Sequence, residues 1–348
     1  MSERTGRRGC PLPAAIDRLP VGIVVKGASL IARVRRRSLV PILLYHSVLP
    51  PSDPAYRLLG TRTHNVRPEV LRAHLRILKR HFDVVRVDEL AERTLTGRSL
   101  GGLGAVTFDD GYRSVLEHAV PVLEELGIPA TCFLTAELVR TGRWWRDAVR
   151  RVIEEDRVTE FLAFAAARGL DVQGIRPDSD GFYRDTKRPD GLNTRALEDT
   201  LDAFIGQGER PAGGPYAGLF CRAEDLMTLH DPGSLLAFGN HGQAHHVLSS
   251  LADDEQRQEI ALGESVLKSL GLPLSRVFSV PFGGSTYISD VTRSILKDAG
   301  YTGYLLSSGH GTTGDVRGGL AVLSRVTPAD HPKALARVLA KQAIRRTR

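Results

Sequence analysis

From Val40 onward, short apolar runs alternate with longer segments whose apolar residues recur every three or four positions. A run of four to six apolar residues suits a buried strand, and a spacing of three and four suits one face of a helix. Their regular alternation is what β/α units wound around a parallel sheet require. Strands are expected at residues 41–45, 83–87, 105–108, 130–134, 235–239, 277–280 and 302–306, with helices at 68–80, 113–126, 253–270 and 289–299. Seven such strands imply an α/β fold, specifically a distorted (β/α)7-type barrel. Barrels of this kind run to roughly 250 residues as one domain. The 348 residues are therefore expected to divide into an N-terminal arm (1–39), a catalytic domain (40–330) and a basic C-terminal helix or tail (331–348). Residues 141–222 break the rhythm with Trp144-Trp145, amphipathic pieces and a Gly/Pro-rich stretch from Gly206 to Gly218, and read as an inserted helical and loop subdomain. Insertions on a rigid scaffold usually shape the cleft.

The formal charge of +7 is local. Residues 1–40 carry nine Lys or Arg against Glu3 and Asp17, which accounts for all of it and leaves the rest of the chain formally neutral. A general polyanion-binding face is thus not expected, and nucleic acid is not an expected partner. The basic arm reads first as a solvated tail, with peripheral contact between residues 23–37 and anionic lipid as the functional alternative. Cys10, Cys132 and Cys221 show neither a disulfide framework nor metal-finger spacing, and Cys132 reads as core. The apolar stretch 21–32 is interrupted by Lys26 and is too short to span a bilayer. No export signal is readable, so a cytoplasmic location is expected. Oligomeric state is not legible.

Two segments carry chemistry. In Val106-Thr107-Phe108-Asp109-Asp110-Gly111-Tyr112, a strand delivers two adjacent carboxylates to its C-terminal end, where barrel enzymes work. One of such a pair can bind a metal while the other takes a proton; the plainer alternative is that Asp110 caps the next helix. In Gly239-Asn240-His241-Gly242-Gln243-Ala244-His245-His246, two histidines four apart follow another apolar run. With Asp110 they make a His, His, carboxylate set that leaves a fourth position open, as catalytic zinc requires. His246 reads as a supporting or surface residue.

These segments resemble the polysaccharide deacetylase family, carbohydrate esterase family 4, also called the NodB homology domain. T-F-D-D-G stands at Thr107–Gly111 and H-x-x-x-H at His241 and His245, and Arg67-Pro68-Glu69, Phe82-Asp83-Val84-Val85, Gly127-Ile128-Pro129-Ala130-Thr131 and Ser279-Val280-Pro281-Phe282-Gly283 follow the family's order. The resemblance implies Asp110, His241 and His245 as ligands to Zn²⁺ or another divalent transition metal, and Asp109 as general base. It also implies an oxyanion-stabilising backbone N–H at Phe282.

The chain departs from the pattern in two places. Ser279 stands where the family often has an arginine that orients the catalytic aspartate, and Arg325 is the candidate substitute. No L-x-H motif follows the third motif, and His310 sits in what reads as a loop. Leu44-Tyr45-His46 matches L-x-H at the first strand, where a circularly permuted branch acting on poly-N-acetylglucosamine-type polymers places it. First and last strands of a closed barrel are neighbours, so His46 is the expected general acid. The implied reaction is hydrolytic N-deacetylation of an N-acetylated saccharide in a polysaccharide or glycoconjugate. Alternatives are deacylation of an O-acyl or non-sugar amide substrate, or a carbohydrate-binding pseudoenzyme. Trp144 and Trp145 read equally as sugar platforms or as the small core of the insertion.

Overall fold

The computed structural model describes residues 19–34, 39–59, 65–206, 218–227, 234–307 and 314–344. Its strands are β1 (Ile42–Tyr45), β2 (Asp83–Val84), β3 (Leu103–Asp110), β4 (Ala130–Leu134), β5 (Leu236–Asn240), β6 (Val277–Ser279), β7 (Gly303–Leu306), β8 (Asp315–Arg317) and β9 (Leu320–Ser324). One sheet runs β1-β3-β4-β5, with β2 also paired to β3, and all of its pairs are parallel. The second runs β6-β7-β9-β8, with only β8 antiparallel. Every residue of β3, β4, β7 and β9 is buried, as parallel strands covered on both faces demand.

The two sheets are stitched at both edges. Leu43 bridges to Val326, with Leu44 N–H donating to Val326 O (2.8 Å) and Val326 N–H to Ile42 O (2.9 Å), and Phe238 bridges to Leu274. Each seam carries one isolated bridge and no longer ladder, so the parallel α/β fold stands as expected, while closure toward the expected distorted barrel rests on these two bridges.

Most expected elements fall in place, and the exceptions have local causes. The strand expected at 83–87 stops after two residues because Val87–Leu95 is a helix. Val87, Leu90, Ala91 and Thr94 make its buried face, and Asp88 and Glu89 sit in its first turn, where the backbone dipole favours acids. The helix expected at 113–126 opens as a π turn, Val115–Ala119, before the α-helix Val120–Leu126. Pro121 has no N–H to give the carbonyl four residues back, so the ladder widens there. The hairpin of β8 and β9 was not expected from sequence. Its two-residue turn is Gly318-Gly319, both at positive φ (59° and 79°), as tight hairpins favour.

The expected solvated arm is, over its described part, the helix Val21–Val34. Val24, Val25 and Ala28 are buried in one cluster with Leu335, Leu339 and Ala340 of the C-terminal helix Ala334–Ile344. Arg4, Arg7, Arg8, Cys10, the Arg35–Arg37 run and His310 lie outside the described residues. No helix among the described residues is long and apolar enough to cross a membrane. Cys132 is core, as expected, and Cys221 is buried with it in the largest apolar cluster.

Candidate active site

Parallel pairing brings the carboxyl ends of β1, β3 and β5 together, and each ends in a candidate functional residue: His46, Asp109-Asp110 and His241. Asp110 turns out of β3 at φ 73°, in the left-handed region, and Gly111 follows at φ 84°. A Cβ on Gly111 would meet Leu134 Cδ2 at 2.9 Å, so the turn that presents Asp110 requires glycine twice over, by backbone angle and by space.

The His241–His245 loop is held from behind. Asn240 accepts from Gly242 N–H (2.9 Å) and donates to Ile260 O (3.0 Å) and Tyr301 Oη (2.9 Å). Glu259, on the helix Asp253–Ser269, accepts from Ala244 N–H (2.8 Å) and His246 N–H (3.3 Å). A Cβ on Gly242 would lie 2.8 Å from that carboxylate. His246 is buried between Glu259 (3.2 Å) and Glu198 (2.9 Å); burial opposes its charge, but the two carboxylates outweigh it and push the imidazole up to about 10. It is a support for the loop, one of the two roles expected of it.

His241 Nδ1 lies 2.8 Å from Ser279 O, which can only accept, so a ring proton sits there and the neutral ring would turn the Nε2 lone pair to the site. His241 Nε2 and His245 Nε2 lie 3.5 and 3.4 Å from Asp110 Oδ1, which is buried and accepts no hydrogen bond. One ligand atom from each of the three residues falls within 4.8 Å of the others. Burial and the neighbouring His241 push His245 down to about 3. Burial would raise Asp110, but contact with His241 and the charges of His245 and His46 hold it well below the usual carboxylate range. Two imidazole nitrogens converging on a buried carboxylate oxygen that lacks a donor fit a divalent metal, and the triad can hold one.

Asp109 is treated differently. Arg325 Nη1 and Nη2 donate to its two oxygens, both at 2.7 Å, and Ser279 Oγ lies 3.2 Å from each. Arg325 Nη2 also donates to Ser279 Oγ (3.0 Å). Burial works against ionisation of Asp109, but Arg325 and His241 overcome it and hold the carboxyl low. Ser279 and Arg325 together fill the place of the absent motif arginine. Arg325 reaches Asp109 because β9 ends beside β1.

Leu44, His46, Asp109, Asp110, His241, His245 and Phe282 line one cavity of about 230 Å³. Phe282 has φ 60°, the third site residue with Asp110 and His245 (φ 62°) in the left-handed region, and its N–H donates to no described residue. Strained backbone of this kind clusters at functional sites. Burial pulls the His46 imidazole down, opposed by Asp110 and Asp109. The opposite wall comes from residues 141–222: Trp144, Arg146, Arg150, Tyr183 and Lys187. Neither tryptophan is an open platform. Trp145 is 1% exposed and donates to His245 O (3.3 Å), while Trp144 is 8% exposed with its ring edge-on to His245. The basic wall, Asn240, Glu198 and Glu259 were not anticipated from sequence.

The parallel α/β fold thus sets a His, His, Asp triad that can hold a metal beside an Arg-clamped aspartate. Residues 101–160 and 215–304 match the polysaccharide deacetylase family model. Its fold is similar to that of the deacetylase PplD of Streptococcus pyogenes, solved with acetate (TM-score 0.54, 14% identity, 86% of this chain and 97% of that one covered). It is also similar to IcaB from Ammonifex degensii (TM-score 0.52, 21% identity, 86% and 97% covered). No curated protein matches the sequence significantly.

Proposed function

We propose that the protein hydrolyses the N-acetyl group of an N-acetylated saccharide, with Zn²⁺ held by Asp110, His241 and His245. The observation that carries this reading is Asp109. An ionised carboxylate, clamped by Arg325 and Ser279, lines the same cavity as the three ligand residues. A bound Zn²⁺ would supply Lewis acidity, lowering the pKa of a water and polarising the acetyl carbonyl. Asp109 accepts the proton of the attacking water. The Phe282 N–H donates to the carbonyl oxygen as negative charge develops on it. His46, from the end of β1, gives a proton to the departing amine nitrogen as the C–N bond breaks, so acetate and a free amino sugar leave. The low affinity of the buried His46 ring for its proton makes it a willing donor once charged.

In this reading residues 40–330 form the catalytic domain, the two stitched sheets are an opened form of the family's barrel, and His46 takes the part that a late L-x-H motif plays elsewhere. The similar Streptococcus pyogenes fold was solved with acetate, the product this reaction requires. The pseudoenzyme alternative rested on Ser279 in place of arginine, and Arg325 on Asp109 supports catalysis instead. The test is acetate release from N-acetylglucosamine oligomers and smaller N-acetyl glycosides by zinc-loaded protein, chelated protein and Asp109→Asn. Release that needs both the metal and Asp109 is expected; release indifferent to either one refutes the mechanism.

A further inference from the structure

The wall of the cavity contributed by residues 141–222 holds three cations, and only one makes an ion pair among the described residues. Arg150 pairs with Asp147. Arg146, on the same helix (Trp145–Glu154), is 1% exposed and has no carboxylate partner among the described residues. Its Nη1 donates to Thr186 Oγ1 (2.9 Å) and its Nη2 to Tyr183 O (2.7 Å). The guanidinium lies over the rings of Tyr183 (4.2 Å) and Trp145 (4.9 Å). Neutral acceptors and ring faces fix its position; Asp147 and the Tyr183 phenol support its charge, but no described carboxylate makes an ion pair with it. Lys187, half-buried, stands over Tyr183 (4.9 Å) and Phe282 (5.9 Å), again with no carboxylate among the described residues.

Burying a cation without a counter-charge is costly, and such groups are normally paired. Here two line one cavity that also holds the hydrolytic residues. The same cations act on Tyr183: burial would raise its phenol, but Arg146, Arg150 and Lys187 together bring it down to about 8, so negative charge is favoured at this wall. Trp144 lines the same cavity, and its buried indole N–H has no acceptor among the described residues. The cavity, at about 230 Å³, is below the roughly 300–1,000 Å³ of pockets that enclose drug-sized ligands, so the cations lie close to whatever sits over the metal ligands.

We propose that Arg146 and Lys187 form an anion subsite, so that the saccharide carries an oxyanion, a phosphate or a carboxylate, close to the N-acetyl group that is hydrolysed. This rests on the deacetylase reading for the reaction, but not for the binding. Guanidinium and ammonium groups recognise both kinds of oxyanion through charge-assisted hydrogen bonds, and neutral N-acetylglucosamine offers them only hydroxyls.

The chain has only two tryptophans, Trp144 and Trp145, so intrinsic fluorescence reads this wall without any need for turnover. The experiment titrates the full chain with methyl N-acetylglucosaminide, N-acetylglucosamine 1-phosphate and N-acetylmuramic acid, at roughly 50 mM and roughly 500 mM salt. Acetate release is followed in parallel from the same three compounds. The expected result is binding of at least one anionic sugar about tenfold or more tighter than the neutral one, shrinking with salt. The preference should be lost in Lys187→Gln and weakened in Arg146→Lys, with melting temperatures confirming that both variants fold. Whichever of the phosphate and the carboxylate binds identifies the group. Equal affinity for neutral and anionic sugars, no binding of any of the three, or a preference that survives both substitutions overturns the subsite. Acetate release from the neutral sugar with no anion preference would overturn the subsite and leave the deacetylase standing. Anion-selective binding without release from any compound would do the reverse.

Discussion

The two walls of the cavity treat buried charge in opposite ways. On the strand side, Asp109 receives two hydrogen bonds from Arg325 and contacts from Ser279, so its charge is balanced and its position is fixed before any ligand arrives. On the helical side, Arg146 is equally buried but makes no ion pair with a described carboxylate; it meets a hydroxyl, a carbonyl and two rings, with the Tyr183 phenol and Asp147 as its electrostatic support. Asp110 belongs with the second kind, since its Oδ1 accepts no hydrogen bond. The balanced group is fixed from within the protein; in the reading proposed above, the others mark where a charge would come from outside, a cation at Asp110 and an anion at Arg146.

Substitution breaks this contrast most sharply at Asp109. Asp109→Asn keeps the shape but removes the base, and acetate release is expected to fall by about 10²–10⁴-fold, with zinc content by atomic absorption unchanged. A fall of less than about tenfold would mean that Asp109 does not take the proton. Next in size is a pair of stability measurements by urea unfolding. Arg325→Met leaves a buried carboxylate without its partner and should cost about 3–5 kcal/mol. Arg146→Met removes a buried cation that had no ion-pair partner and should cost no more than about 1 kcal/mol, the loss of its bond to Tyr183 O offsetting the relief. Similar costs at both positions would erase the distinction between the walls.

Metal loading tests the unbalanced carboxylate. Zn²⁺ at 100 times its Kd should stabilise the protein by about 2.7 kcal/mol, seen as a rise in melting temperature. His245→Gln should abolish that rise. An equal rise in the variant would place the ion elsewhere.

The grouping of residues on the strand side was legible in sequence because they end strands. Asp109, Asp110, His241 and His46 each follow a short apolar run, and parallel pairing forces such ends together, so a reading of runs and spacing already groups them. Arg325 could be put forward only as a substitute for the motif arginine, because β9 had no expected place. The Gly318-Gly319 turn ahead of Leu320–Ser324 was the available sign of that hairpin. The helical side was not legible. Arg146 and Lys187 stand 41 positions apart, one on the helix Trp145–Glu154 and the other in the turn just after the helix Ser179–Asp185, and neither lies in a motif. Their meeting depends on how the helices Trp145–Glu154 and Ser179–Asp185 pack, which local pattern does not encode. Glu198 and Glu259, which clasp His246, were hidden for the same reason: each looks like an ordinary acid on an amphipathic helix.

The smallest effect is also the most direct measure of the unbalanced wall. Tyr183 is brought below the usual phenol range, to about 8, by Arg146, Arg150 and Lys187 against the effect of burial, while burial holds Tyr45, Tyr112 and Tyr301 well above that range. A lowered phenol ionises first as pH rises. Phenolate absorbance of the native protein should therefore include an early step near pH 8 from Tyr183, ahead of the buried tyrosines. Tyr183→Phe should remove the step, which assigns it. Lys187→Gln should move it upward toward the ordinary value of about 10, because one of the three cations that lower it is gone. A step that stays near pH 8 in Lys187→Gln would mean that the lysine does not contribute to the field at this wall, and Arg146 with Arg150 would then have to account for it alone.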